Sequence, residues 1–219
     1  GYQLIPGDVA DVNGDALPDV IRFEGFDELV LERALAPGIF PGRNVLDFPS
    51  DVLGGIAGAN VDGVGGDELI STHRSRPRIE IREGSGEIIF SIPFTSAFVP
   101  SRPHAADFNR DGRPDLLVEP ASGGIGRLLL SDPSGGFEPG VQLEFVDDEA
   151  TIVDLDDNGT LDIIVARDVY AGRGDGTFEG AGALSTFIPK PTGFGDFDGD
   201  GRTQILVVEP LNSLSGLFD

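Results

Sequence analysis

The sequence predicts an all-β fold, a β-propeller of five blades with about four antiparallel strands each, and three observations carry that prediction. An acidic nine-residue phrase occurs five times, at residues 11–19, 60–68, 107–115, 154–162 and 196–204 (loops 1 to 5). The loop starts are separated by 49, 47, 47 and 42 residues, and a period near 45 marks one supersecondary unit repeated along the chain. Each phrase runs straight into an apolar segment: DVIRF, LISTH, DLLVEP, DIIVAR or ILVVEP. Such short Val, Ile and Leu runs bounded by Gly and Pro read as buried strands. On this reading residues 1–219 form a single domain of five repeats.

Within a unit the apolar strand after the loop is followed by a second strand, as in DELVLERA, RIEIRE and GRLLLSD. A Gly-rich turn comes next, clearest in GRGDGTFEG (residues 172–180) and looser in PSGGFEPG (133–140). An outer strand then carries Phe40, Phe90, Phe137 or Phe178, whose recurrence predicts a place in the core. The fifth unit reaches Asp219 without an outer strand, and YQLI at Tyr2 to Ile5 is expected to supply it, preceding loop 1 much as LEFV precedes loop 4. Such a closure would hide the sheet edges. The wrap-around interval of 34 residues is shorter than any other, so membership of a larger ring stays open.

The phrase has the donor spacing of a hard-cation loop. A chain curling round an ion of calcium size presents alternate residues to it, and such ions take six to eight oxygens. Loop 1 offers Asp11, Asn13, Asp15 and Asp19 at positions 1, 3, 5 and 9, with the Leu17 carbonyl at position 7. Loop 2 offers Asn60, Asp62, the Gly66 carbonyl and Glu68, but has Val64 at position 5 and is expected to be the weakest. Loop 3 supplies Asp107, Asn109, Asp111, the Arg113 carbonyl and Asp115, and loop 4 supplies Asp154, Asp156, Asn158, the Thr160 carbonyl and Asp162. Loop 5 supplies Asp196, Asp198, Asp200, the Arg202 carbonyl and Gln204, whose amide keeps an oxygen but loses a charge. Position 6 is Gly65, Gly112, Gly159 or Gly201, and Ala16 in loop 1. An EF-hand would need Glu at position 12 and flanking helices, which strand-like continuations exclude. Magnesium retains more of its water, and transition metals recruit His or Cys, so Ca2+ is the ion expected, up to five per chain.

Composition agrees. The chain holds 15 basic and 38 acidic residues, a net charge of −23 that disfavours nucleic acid and anionic membrane surfaces as partners. Fourteen of the acids occupy the donor positions of the loops, and five dications would bring the total to −13. Without Cys there is no disulfide or zinc-thiolate site, and no apolar run approaches the ~18 residues of a membrane-spanning helix. His73 and His104 stand apart and read as surface or strand-end residues. Arg173-Gly174-Asp175 lies inside a turn that the repeat itself requires, and Asp147-Asp148 and Asp156-Asp157 come with no sign of a pocket. Nucleophile and phosphate-loop motifs are missing, so the chain is read as non-catalytic.

Acidic loop, DLLV-type strand and GDGTF turn together resemble the FG-GAP/VCBS repeats of integrin α-subunit propellers and of calcium-containing fungal and bacterial propellers, over nearly the whole chain. That resemblance implies a propeller, often seven-bladed, so a fragment of a seven-bladed ring is the alternative to a five-bladed one. It also implies a calcium-stabilised extracellular or cell-surface module for recognition or adhesion, with a protein or cell-surface glycan as partner. Only Tyr2 and Tyr170 combine an aromatic ring with a hydroxyl and Trp is absent, which favours a protein partner over a lectin-like role. A structural spacer and a polysaccharide-lyase-type enzyme are further alternatives; the latter predicts a groove drawing on Arg74, Arg76, His104 and Tyr170.

Overall fold

The computed structural model describes residues 7–24, 28–47, 52–134, 136–145, 149–184 and 191–207. These form five small antiparallel sheets, each a simple meander, and no helix occurs among them. The first sheet contains β1 (Asp8–Ala10), β2 (Asp19–Glu24), β3 (Glu28–Glu32) and β4 (Asn44–Asp47). The second contains β5 (Val52–Ala59), β6 (Glu68–His73), β7 (Arg78–Arg82) and β8 (Ile88–Pro93). In the third are β9 (Pro100–Ala106), β10 (Asp115–Pro120), β11 (Gly124–Ser131) and β12 (Phe137–Phe145). The fourth has β13 (Ala150–Val153), β14 (Asp162–Val165), β15 (Asp168–Gly172) and β16 (Phe178–Ala183), and the fifth pairs β17 (Pro191–Gly195) with β18 (Gln204–Val207). The chain divides into two compact units, Gly1–Asp147 with the first three sheets and Asp148–Asp219 with the last two.

Every acidic loop joins the first and second strands of its own sheet. The strand leaving each loop is the most buried of its sheet in several cases: all six residues of β6 and all four of β14 are buried, as are five of the six in β10. The reason is that such a strand is covered on both faces. In the first unit Leu69 packs with Ala10, Val12, Ile21, Leu29, Leu31 and Ile56, whereas its neighbour Ile70 packs with Ala57, Ile79, Ile81, Phe98, Leu116, Val118 and Leu129. Consecutive side chains of a strand point to opposite faces, so β6 feeds one core shared with the first sheet and another shared with the third. A strand buried on both sides favours a near-continuous apolar run, which DLLVEP largely provides; in LISTH the buried Ser71, Thr72 and His73 meet the Glu80 carbonyl, the Ser101 carbonyl and the Glu80 carboxylate instead.

The first strands approach one another closely. A Cβ at Gly58 would come within 2.3 Å of Ala10 Cβ, so only glycine lets β5 lie against β1. The Gly58 N–H also donates to Asp8 Oδ2 at 2.8 Å. Between β6 and β9, the Thr72 hydroxyl donates to the Ser101 carbonyl.

Three sequence expectations change. Phe40 precedes β4 instead of lying in it and is 39% exposed, and Phe90 in β8 is 37% exposed, because an outermost strand has a neighbour on one edge only and little above it. Phe137 does pack against the second core and meets Phe90 edge-on at 6.1 Å. Leu143 to Phe145 belong to β12, the outer strand of the third sheet, and Ala150–Val153 is the strand that enters loop 4. Tyr2 to Ile5 and the residues after Val207 lie outside the described residues, as does the expected closure. His73 ends β6 as expected but is fully buried, 3.1 Å from Glu80, and His104 lies within β9, bonded to Glu119 at 2.6 Å. Both histidines are partners of buried carboxylates and not surface groups.

Candidate metal-binding loops

Loops 1, 3, 4 and 5 share one set of side-chain to backbone hydrogen bonds. The position 1 carboxylate takes the amides of positions 5 and 6: Asp11 from Asp15 and Ala16 at 3.0 and 2.7 Å, Asp107 from Asp111 and Gly112 at 3.1 and 2.9 Å. Asp154 does the same with Asn158 and Gly159 at 3.0 and 2.7 Å, and Asp196 with Asp200 and Gly201 at 3.1 and 2.9 Å. The position 3 oxygen converges on that same position 5 amide, from Asn13, Asn109, Asp156 and Asp198. Position 5 in turn accepts the amide of position 7, from Asp15, Asp111, Asn158 and Asp200. The side-chain oxygens of positions 1, 3 and 5 are thereby gathered at the loop's centre, and each retains a second lone pair for a cation.

The curl requires two left-handed residues, at positions 4 and 6. All ten have positive φ: Gly14, Gly63, Arg110, Asp157 and Gly199 at position 4, and Ala16, Gly65, Gly112, Gly159 and Gly201 at position 6. Glycine marks position 6 in four loops, whereas position 4 shows it in only three, as Gly14, Gly63 and Gly199.

Position 9 has a second duty. Its oxygen accepts the amide of position 2 in all five loops: Asp19 from Val12 (3.1 Å), Glu68 from Val61 (2.7 Å), Asp115 from Phe108 (3.0 Å), Asp162 from Leu155 (2.9 Å) and Gln204 from Phe197 (2.8 Å). In three loops the other oxygen clasps the end of the third strand, Asp19 to the Ala34 amide, Asp115 to Ser131 and Asp162 to Gly172, each at 2.8 Å. These carboxylates are almost wholly buried. Burial pushes the Asp115 carboxyl above its ordinary range, although the Ser131 and Phe108 amides pull the other way. On the exposed side of the loops the Gly201 amide leads a set of N–H groups that hold Asp196 below the usual range.

Among the described residues three groups bring one carboxylate oxygen each from three acids to within 4.8 Å of one another: Asp154, Asp156 and Asp162; Asp196, Asp198 and Asp200; and Asp62, Glu68 and Glu83. In loops 1 and 3 an Asn amide oxygen stands at position 3. All-oxygen, largely anionic donor sets of this kind fit a hard divalent cation.

Loop 2 departs from the pattern. Asn60 Oδ1 takes the Gly63 amide at 2.6 Å and Asp62 Oδ1 the Val64 amide at 2.7 Å, so Val64 contributes no oxygen and the hub on position 5 is missing. Burial pushes the Glu68 carboxyl up to about 7, with Asp62 and Glu83 adding repulsion. The loop is also tied to its neighbour: the Asp67 amide donates to the Asp11 carbonyl at 2.6 Å, and Asp67 Oδ2 accepts the Asp11 amide at 2.8 Å. Loops 4 and 5 are joined comparably, by Thr203 donating to Asp157. At the same position 8, loops 1 and 3 have Pro18 and Pro114, which offer no N–H.

Other candidates find local explanations. Gly174 and Gly176 have positive φ and Asp175 accepts the Thr177 amide at 3.0 Å, the same turn chemistry as the loops, while Arg173 pairs with Glu179 at 2.8 Å. Of the groove residues, His104 bonds Glu119, Arg74 reaches Ser101 Oγ at 3.3 Å, and Tyr170 lies in β15 of the second unit.

No protein-family model and no curated protein matches the sequence. Among the solved structures that the fold resembles are two with a TM-score above 0.5. One is an Agrocybe aegerita lectin described as specifically recognising non-reducing terminal N-acetylglucosamine, with a TM-score of 0.56 and 19% identity over 81% of this chain and 51% of that one. The other is the V. cholerae biofilm matrix protein Bap1, with a TM-score of 0.55 and 18% identity over 95% of this chain and 35% of that one. The chain thus spans about half of the first and a third of the second, and the likeness is one of fold.

Proposed function

We propose that this chain is a calcium-stabilised extracellular recognition module, its sheets the blades of an FG-GAP/VCBS-type propeller, binding a protein or cell-surface partner without catalysis. The observation that carries this reading is the bond set repeated in loops 1, 3, 4 and 5, which gathers side-chain oxygens from positions 1, 3 and 5 in each. Calcium bound there neutralises carboxylates that repel one another and fixes the link between the first two strands of each sheet. Asp154, Asp156 and Asp162, and Asp196, Asp198 and Asp200, hold it through carboxylates; loops 1 and 3 use Asn13 and Asn109 at position 3. Extracellular calcium suits modest-affinity loops, whose Kd values run at about 10⁻⁴ to 10⁻³ M.

Thermal melts in chelator and across a calcium titration, with magnesium as control, test the metal assignment. A calcium-specific rise in Tm supports it; an unchanged Tm with no heat of binding overturns it. A glycan ligand is the second reading, favoured by the fold shared with the N-acetylglucosamine-recognising lectin. Binding of metal-replete protein to immobilised glycans ending in that sugar, competed by free sugar, would establish it, and glycan-independent capture of a protein ligand would favour the first. Cleavage in a polysaccharide panel would overturn the non-catalytic assignment.

A further inference from the structure

The second sheet carries an acid where the first, third and fourth do not. One step beyond the pair Leu69↔Arg82, the β6–β7 ladder sets Glu83 opposite Glu68. The corresponding residues opposite Asp19, Asp115 and Asp162 are Arg33, Leu130 and Ala171. Like charges directly opposite one another across a ladder are unfavourable. Here the opposition is sharpened by burial: Glu68 is 0% exposed, and its Oε1 is buried without any hydrogen-bond partner, whereas Oε2 takes the Val61 amide. Asp19, Asp115 and Asp162 use their second oxygen to clasp the third strand; Glu68, one methylene longer, does not. Its carboxylate instead lies with those of Asp62 and Glu83, one oxygen of each within 4.8 Å of the others. The Arg33 guanidinium, the cation that approaches from the first sheet, bonds the Gly84 carbonyl at 3.3 Å and none of the three carboxylates. Glu83 is held in place by its turn, its amide donating to the Glu87 carbonyl at 2.9 Å and its carbonyl accepting from Gly86 at 2.8 Å.

We propose that Asp62, Glu68 and Glu83 form a divalent-cation site of calcium type, in which Glu83, from outside the loop, replaces the oxygen that Val64 lacks. The buried, unpartnered Glu68 Oε1 is a ligand atom of this site, and the three carboxylates, with no nitrogen or sulfur donor, select a hard cation. The site makes loop 2 a binding loop with its own donor set, against the expectation that it is the weakest. It stands independently of loops 1, 3, 4 and 5.

Calcium titration of the full chain, followed at backbone amides by NMR, reads each loop separately. The amides of Gly63, Gly65 and Gly84 are expected to shift saturably in the wild type, and Glu83→Gln to weaken that transition at least tenfold while Gly112 and Gly159 respond as before. Amides of loop 2 that stay still through ~10 mM calcium, or that titrate identically in Glu83→Gln, overturn the proposal. Movement in loop 2 with none at Gly112 and Gly159 would uphold it while removing the broader calcium reading. Glu68→Gln gives a second readout: it is expected to raise Tm in chelator, by removing a buried charge, and to abolish the loop 2 transition. A lower Tm in chelator together with an unaltered loop 2 titration counts against the site.

Discussion

Ala16 has φ 65°, where the sixth residue of every other loop is glycine, and Arg110 has φ 62° at the fourth position. A left-handed conformation costs an ordinary L-residue about 1–2 kcal/mol, and glycine gives back roughly half of that in unfolded-state entropy. Ala16→Gly should therefore stabilise the chelated protein by up to ~1 kcal/mol, read as a higher denaturant midpoint at unchanged slope. A lower midpoint would mean that the Ala16 amide bond to Asp11 at 2.7 Å depends on the methyl group's restriction of the turn. A second test lies in the buried ionic group of the second sheet. Burial pushes the Glu80 carboxyl up, but bonds from Arg78 (2.7 Å) and Arg82 (2.5 Å), with His73 at 3.1 Å, outweigh it and leave the group below its ordinary 4.5. A depressed carboxylate contributes stability that is present above its unfolded pKa and is lost as pH falls through the folded one. Wild type should thus lose its advantage over Glu80→Gln below about pH 4.5. Melts of the two proteins from pH 7 to pH 3 check this, and a constant difference would show that the Arg contacts matter through packing alone.

At the scale of the element, the loop has a part that holds an ion and a part that holds the sheet, and substitutions should separate them. Asp115 is fully buried and accepts the amides of Phe108 and Ser131, so Asp115→Ala leaves two buried donors without partners. A loss of ~2–4 kcal/mol is expected already in chelator, and a larger one in calcium, because position 9 also donates to the ion. Asp111 is exposed and closes only its own loop, so Asp111→Ala should cost little in chelator and should remove one site's calcium-dependent gain. Equal losses for the two variants in chelator would refute the division. Much of this element was legible because its chemistry is local: Asp and Asn at alternate positions and Gly at the turn fall within nine residues. What escaped detection was set by chain segments far apart in sequence or by conformations that the residue type does not announce. Arg110 and Asp157 conceal the left-handed position 4, and Glu83 reaches Glu68 only through strand register. The burial of His73 follows from a strand covered on both faces, whereas the polar letters of LISTH suggested an end at the surface. The exposed Phe90 errs the other way, since apolar recurrence cannot distinguish an outer strand from a covered one.

For the whole molecule the governing quantity is charge. The chain carries −23, and 14 of its 38 acids stand at donor positions of the loops, where three groups bring acid oxygens within 4.8 Å of one another. Two mechanisms could make salts stabilising. Screening acts through ionic strength, does not distinguish calcium from magnesium at equal concentration, and saturates as the Debye length falls below ~10 Å. Site binding is specific, and for Kd values near 10⁻⁴ to 10⁻³ M it adds RT ln(1 + [L]/Kd), or ~1.4–2.7 kcal/mol per site at about 10 mM calcium. Each kcal/mol moves the Tm of a protein of this size by roughly 2–4 °C. Four filled loops should therefore raise Tm by more than ~10 °C over chelator at matched ionic strength, with a smaller rise in magnesium. Asp107→Asn, Asp154→Asn and Asp196→Asn should each remove a similar share of that rise, because position 1 organises each loop in the same way. If sodium chloride or magnesium reproduced the full rise, or if the three variants kept it, the loops would act as screened turns and the calcium assignment would fail. A similar partial loss in each variant would instead show that each ion stabilises its own sheet, which is the outcome expected when every loop closes on the two strands it joins.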